Sequence, residues 1–251
     1  RGLGDVYKRQ INTRPLTLAN KTNQLLRHSG IDFFHQPFTK ISSISPSDEA
    51  FLKLEQLDSY DVIIFTSQSA AKFGAPFLKE HASNNFNTPI IAIGLATQGA
   101  LNEYDLSSDV PSKFKSAGLA MLIEQKKHKK CLIFSGEKEP QLTLHTEAEL
   151  DTFSCYRVTD EDSVEFDPIT KNQEAIFLVY NIQTLEVLVR NTLAADLEKL
   201  KLIVASSRIQ EAALSYGIKI CLVAKGPHDE EMTEAAICLL YTSDAADERL
   251  R

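Results

Sequence analysis

One strand–turn–helix pattern returns along this chain at a nearly constant interval. The version around Ser67 recurs around Asn181, 114 residues on, and the version around Gly94 recurs around Ser206, 112 residues on. The helix that follows Ser116 recurs after Asp229, at an interval of 113. Three near-equal intervals argue for two related α/β halves. The first two expected strands, 11–14 and 31–35, have their counterparts at 131–134 and 152–158. One half is thereby built from both ends of the chain and the other from its middle.

The clearest copy of the pattern is Tyr-Asp-Val-Ile-Ile-Phe-Thr-Ser-Gln-Ser-Ala-Ala-Lys-Phe-Gly, residues 60–74. Its apolar run at 62–65 suits a strand buried on both faces. Hydroxyl residues follow at once, and a helical pattern begins near Ala70. Such a turn leaves free backbone N–H groups at the sheet's carboxyl edge, where the helix dipole favours an anion. Ser67 and Ser69 are each readable as a helix cap or as a ligand contact. The remaining strands are expected at 88–94, 175–179, 202–205 and 218–223, with a short edge strand at 109–111. Helices are expected over 18–29, 47–57, 97–104, 119–125, 184–190, 209–216 and 229–237, and another from just after Pro140 to Leu150. Gly30 and Gly217 stand where helix C-caps belong.

Each half then holds about five strands alternating with helices, the mark of a doubly wound parallel sheet. The fold expected is α/β, with two such domains joined by a two-stranded linker. Domain one is expected at 11–37 plus 162–237 and domain two at 46–153, with linker strands at 38–45 and 154–161. Ligands of open α/β sheets sit beyond the carboxyl ends of the strands, so a cleft between two such edges is the expected site.

Composition serves mainly to exclude. A net charge of −7 argues against nucleic acid as a partner. No apolar run approaches the ~20 residues of a membrane span, and no signal peptide is visible. The four cysteines, Cys131, Cys155, Cys221 and Cys238, are scattered without a CxxC pair, which disfavours zinc. No GxGxxG or GxxxxGK[ST] motif is present for a nucleotide, no strand-end aspartate suits a phospho-acceptor, and the six histidines read as surface residues. The basic cluster 126–130 reads as a solvated loop after a helix. Residues 1–10 and 238–251 resemble translated sequencing-adapter read-through and are expected to stand outside the fold.

The chain resembles the uroporphyrinogen-III synthase family, its gammaproteobacterial form in particular. The resemblance is carried by Thr13-Arg14-Pro15, Ile64-Phe65-Thr66-Ser67, Ala92-Ile93-Gly94 with Ala96-Thr97, and Ser116-Ala117-Gly118-Leu119. Leu132-Ile133-Phe134-Ser135-Gly136, Cys155-Tyr156-Arg157 and Val204-Ala205-Ser206-Ser207-Arg208-Ile209 complete it. It implies a cytoplasmic, monomeric lyase that uses no cofactor or metal. Its substrate would be hydroxymethylbilane, a linear tetrapyrrole with eight carboxylates, which it closes to uroporphyrinogen III. Water leaves, the chain attacks the substituted carbon of the terminal ring, and a spiro intermediate reopens and closes with that ring inverted. An enzyme for so facile a closure chiefly has to hold its substrate.

The resemblance also implies roles for residues. Tyr156 matches the family's linker tyrosine and would donate a proton to the departing hydroxyl; otherwise it is a half-buried strand tyrosine. Substrate-binding positions would be Arg14, Ser67, Gln68, Thr97 and Ser116 in the earlier turns. Gly136, Asn181, Ser206 and Arg208 would serve in the later ones. The hydroxyls are equally readable as helix caps, and Arg14, Lys72, Lys138 and Arg208 as surface cations. Tyr180-Asn181, where Thr-Ser is usual, and Glu137–Pro140 depart from the family's pattern. A two-domain protein that binds an anion without chemistry is the alternative reading.

Overall fold

The computed structural model describes residues 8–83, 86–111, 116–137, 146–161, 164 and 174–248. In chain order it opens with β1 (Lys8–Asn12), α1 (Asn20–His28), β2 (Phe33–His35), β3 (Thr39–Ser43) and α2 (Asp48–Glu55). Next come β4 (Val62–Phe65), α3 (Gln68–His81), β5 (Ile90–Ala92), α4 (Leu95–Asn102) and α5 (Ser116–Gln125). After β6 (Lys130–Gly136) and β7 (Glu149–Asp160) follow β8 (Glu174–Val179), α6 (Ile182–Arg190), β9 (Lys201–Val204), α7 (Ser207–Ser215), β10 (Ile220–Val223) and α8 (Asp229–Glu248). The chain divides into two compact units, Arg1–Lys40 with Thr159–Arg251, and Ile41–Val158.

The unit made from both chain ends holds a five-stranded sheet in the order β10-β9-β8-β1-β2. Every neighbouring pair in it is parallel. The middle unit's sheet runs β3-β7-β6-β4-β5, with β7, β6, β4 and β5 parallel to one another. The repeat is visible in these orders. Reading β8 as β4, β9 as β5, β1 as β6 and β2 as β7 superimposes one sequence of neighbours on the other. Even the outermost strand has a counterpart, because Asp109 makes a parallel bridge to Ile91 where β10 flanks β9. The expected edge strand at 109–111 is thus reduced to one bridge, with Pro111 supplying no N–H to extend it.

The middle sheet shows why its strands read as unbroken apolar runs. Successive side chains of a strand point to opposite faces. Ile63 and Phe65 therefore join Leu132, Phe134 and Phe153 under Ala70, Ala71 and Ala75 of α3. Val62 and Ile64 join Ile91, Cys131 and Ile133 under Leu119 and Ile123 of α5. On the α3 face the Phe65 and Phe134 rings stack with centroids 4.6 Å apart. A Cβ at Gly74 would stand 2.5 Å from Phe134 Cδ1, so the helix reaches this layer only because position 74 is glycine. Pro76 lies inside α3 and brings no N–H to the carbonyl of Lys72, four residues earlier. The Tyr104 hydroxyl donates to that carbonyl instead, at 3.1 Å.

Several expectations are corrected. The helix drawn to Leu150 does not reach it: 146–148 form a bend, and Glu149 and Leu150 already belong to β7. Their parallel pairing with Lys130 and Cys131 holds them extended, and the rest of that expected helix lies outside the described residues. Residues 8–10 are not outside the fold, because Lys8, Arg9 and Gln10 pair with Glu174, Ala175 and Ile176 in the middle of the sheet. Nor does the last helix stop at 237; α8 runs to Glu248 through a stretch rich in helix formers and free of glycine and proline. His35 is not a plain surface residue, since its Nε2 contacts the Arg14 carbonyl oxygen at 2.9 Å from a half-buried position on β2. Gly30 and Gly217 do take the left-handed conformation of C-caps, with φ of 68° and 87°.

Candidate functional site

Four helices start directly at the carboxyl ends of β4, β5, β8 and β9, and they start in one way. Ser67, Gly94, Asn181 and Ser206 occupy the N-cap positions, all in extended backbone. Ser67 Oγ accepts the Ala70 N–H at 3.0 Å, and Asn181 Oδ1 accepts the Thr184 N–H at 2.8 Å. At Gly94 and Ser206 no side chain caps the helix. Each edge therefore pairs one side-chain-capped helix with one whose first N–H groups are left to solvent or ligand.

In the middle unit the residues gather around Tyr156. Its ring is buried, 4% exposed, on β7. Its hydroxyl lies 3.1 Å from Ser67 Oγ, the oxygen already held by the first turn of α3. Phe73, further along α3, packs on the phenol ring with centroids 6.1 Å apart. The register of β6 against β7 shifts between Ser135 and Gly136, which brings Gly136 opposite Tyr156. A Cβ at Gly136 would stand 2.8 Å from Tyr156 Cζ and 3.2 Å from its hydroxyl oxygen. The Glu137 N–H donates to the Tyr156 carbonyl at 2.8 Å, and the Glu137 carboxylate pairs with Arg157 at 2.8 Å. Gln68 is half-buried as the first residue of α3, and Thr97 is buried in the first turn of α4. Lys72 is exposed on α3. Ser116 opens α5 but its side chain lies outside the described residues, as does all of Lys138.

The other unit gathers charge. Arg14, just past β1, pairs through Nε with Asp229 Oδ1 at 3.2 Å, each side chain only 11% exposed. Its guanidinium carbon lies 4.0 Å from the centre of the Tyr180 ring, and one terminal N–H donates to the Pro227 carbonyl at 3.3 Å. Thr22 of α1 donates to the same Asp229 oxygen at 2.5 Å, and its hydroxyl stands 3.3 Å from that of Tyr180. Burial pushes the Tyr180 phenol above its ordinary pKa against the pull of Arg14, so it stays protonated at neutral pH. Asn181 and Arg208 are exposed and Ser206 is half-buried.

Sequence reasoning singled out Tyr156, Ser67 and Gly136 separately, and the fold brings those three together. It missed Phe73, Thr22 and Asp229. Phe73 was legible only as part of the helical pattern after Ser67, since a spacing of six residues does not put two side chains on one helix face. Asp229 was legible only as a helix start.

Among the described residues, no three His, Cys, Asp or Glu side chains are grouped to hold a metal ion. No described helix is long and apolar enough to cross a membrane. No curated protein sequence matches the chain significantly. Among solved structures, uroporphyrinogen-III synthetase from Helicobacter pylori 26695 is similar with a TM-score of 0.61 at 14% identity, covering 92% of this chain and 99% of that one. A mutant uroporphyrinogen III synthase from the extremely thermophilic bacterium Thermus thermophilus gives a TM-score of 0.57 at 14% identity, covering 93% and 99%. At such identity these two speak for the fold. The model of the family described as uroporphyrinogen-III synthase HemD matches residues 20–234, and the chain belongs to that family.

Proposed function

We propose that this chain is a uroporphyrinogen-III synthase, which cyclises hydroxymethylbilane with loss of water and inversion of the terminal ring. The observation that carries the reading is family membership over residues 20–234 together with a buried phenol, Tyr156, held at the carboxyl edge of a parallel sheet. In the first step the hydroxymethyl C–O bond breaks. Its electron pair leaves with the oxygen, a proton from Tyr156 completes the water, and the pyrrole nitrogen's electrons form the azafulvene as its N–H proton is released, which restores the proton count. The terminal ring's substituted carbon then attacks the azafulvene carbon to give the spiro intermediate. The bond from that ring carbon to its original bridging carbon then breaks, the freed bridging carbon becomes a second azafulvene, and the ring's other α carbon attacks it and loses its proton, which delivers the inverted ring.

Carboxylate binding falls to backbone N–H groups at the uncapped helix starts of α4 and α7, supported by Gln68, Thr97, Ser116, Asn181, Ser206 and Arg208. Arg14 at the other sheet's edge is ion-paired with Asp229 and adds no net charge there; what it can offer a carboxylate is its remaining guanidinium N–H groups. The Glu137 carboxylate, a departure from the family's pattern, is neutralised by Arg157. We read the protein as a cytoplasmic monomer of the gammaproteobacterial type that works without cofactor. In this reading 11–37 plus 162–237 and 46–153 act as its two domains, with 38–45 and 154–161 as the linker.

The test is turnover of hydroxymethylbilane by the purified chain and by Tyr156→Phe. The reading expects the variant to keep its fold and to lose type III formation by about a hundredfold, the usual order for a general acid. An unchanged rate in a folded Tyr156→Phe protein would remove Tyr156 from the chemistry.

A further inference from the structure

We infer that Ser67 and Gly136 are positioning residues for the Tyr156 phenol, and that Ser67 is not itself a carboxylate ligand. The inference rests on the synthase reading and refines it. Ser67 Oγ is fixed by the Ala70 N–H at 3.0 Å and touches the Tyr156 hydroxyl at 3.1 Å. A serine hydroxyl has one proton and two lone pairs. For Tyr156 to keep its own proton for the substrate, Ser67 must donate to the phenol oxygen while it accepts from Ala70, and the one lone pair then left on Ser67 cannot bind a carboxylate oxygen. What it does instead is tie the phenol oxygen to the start of α3, in a short chain of hydrogen bonds whose members polarise one another.

Gly136 acts by what it lacks. The shift of register between Ser135 and Gly136 puts its Cα against the phenol, and any side chain would meet Cζ at 2.8 Å and the hydroxyl oxygen at 3.2 Å. Gly136 lies at the end of β6, and among the described glycines the left-handed conformation is confined to Gly30 and Gly217. Glycine is therefore needed at 136 for space and not for backbone freedom. Phe73 stacked on the ring and the Glu137 N–H on the Tyr156 carbonyl complete the seat. A proton donor gains from such a seat because misplacement by about 1 Å costs on the order of a hundredfold in rate.

The experiment compares wild type, Ser67→Gly, Ser67→Thr, Gly136→Ala and Tyr156→Phe for kcat and KM on hydroxymethylbilane, each checked for folding by thermal melting. Glycine is chosen at 67 because it is a fair N-cap, so α3 survives loss of the hydroxyl. Ser67→Gly is expected to lower kcat about tenfold and Gly136→Ala about a hundredfold, with KM held and Ser67→Thr near wild type. The loss from Ser67→Gly should vanish in the Tyr156→Phe background, because it acts through the phenol. A rise in KM at constant kcat, or a full-sized loss in that background, would overturn the inference and make Ser67 a substrate ligand. A second readout needs no turnover: with Cζ-labelled tyrosine, the Tyr156 resonance should move in Ser67→Gly and Gly136→Ala, and an unmoved resonance also overturns it. Wild type that makes no type III product while the resonance moves would instead sink the synthase reading and leave the positioning intact.

Discussion

The two sheets share an order of strands and a way of starting helices, but their carboxyl edges carry different chemistry. In the middle unit the packed part of the edge is uncharged, a phenol, a serine hydroxyl and a glycine together, and the Arg157–Glu137 pair beside it is exposed. In the other unit it is ionic: Arg14 and Asp229, nearly buried, with Thr22 and Tyr180 against them. The correspondence can be followed strand by strand. Ser67 and Asn181 each cap a helix through the N–H three residues on. Ile133 pairs with Ile64 as Asn12 pairs with Leu178, so the residue two further along is Ser135 in one half and Arg14 in the other. What the repeat preserves is backbone geometry at the strand ends. What it leaves to vary is the side chain that uses that geometry.

The comparison is most exposed at the ionic edge. Asp229→Asn leaves Arg14 buried against a neutral partner and should destabilise the protein by about 3 kcal/mol in a denaturant titration. The charge pair beside Tyr156, Arg157 with Glu137, is exposed and does not involve Ser67, so Ser67→Ala should cost only about 1 kcal/mol, the worth of a cap. Equal losses would show that the ionic edge is not the tightly built one.

A second difference lies deeper in the same strands. Cys131 on β6 pairs with Val62, and its counterpart Gln10 on β1 pairs with Ile176. Both amide atoms of Gln10 are buried without a hydrogen-bond partner among the described residues. Gln10→Met keeps the volume and removes the unpaired groups, so it should raise stability by roughly 1–3 kcal/mol. A fall in Tm would mean that the amide has found partners.

Smaller still is the cap itself. Asn181→Ala should cost about 1 kcal/mol and Asn181→Ser only a few tenths, measured by thermal melting. If the serine variant were as weak as alanine, Ser67 and Asn181 would not be equivalent.

The smallest effect is one of pH. The backbone N–H groups of Lys129 and Lys130 donate to Asp61 Oδ2 at 2.6 and 2.9 Å and hold its carboxyl below the ordinary value. A depressed carboxyl contributes stability that is complete above its unfolded pKa, about 4, and is lost as pH falls through the folded value. Asp61→Asn should therefore narrow the gap to wild type in acid and leave it widest at neutral pH.

Much of this was legible in the sequence because local rules sufficed. The run at 62–65 is β4 to the residue, and hydroxyl or amide residues after apolar runs marked the caps at Ser67 and Asn181. The rest depends on contacts that no window of sequence contains. Arg14 and Asp229 meet from opposite ends of the chain, through the placement of α8 beside α1. The seat of Tyr156 depends on a one-residue shift between two strands, which leaves no mark in the periodicity of either. Residues 8–10 resemble adapter read-through as sequence, yet pairing with β8 holds all three in the sheet, and Gln10 pairs with β2 as well.

The central claim meets its most direct test in the isomers that the purified chain makes from hydroxymethylbilane. Closure without an enzyme gives the uninverted type I product. The account predicts predominantly type III uroporphyrin after oxidation, well above a control without protein. Type I alone from a folded chain would contradict it and favour a protein that holds an anion without turning it over.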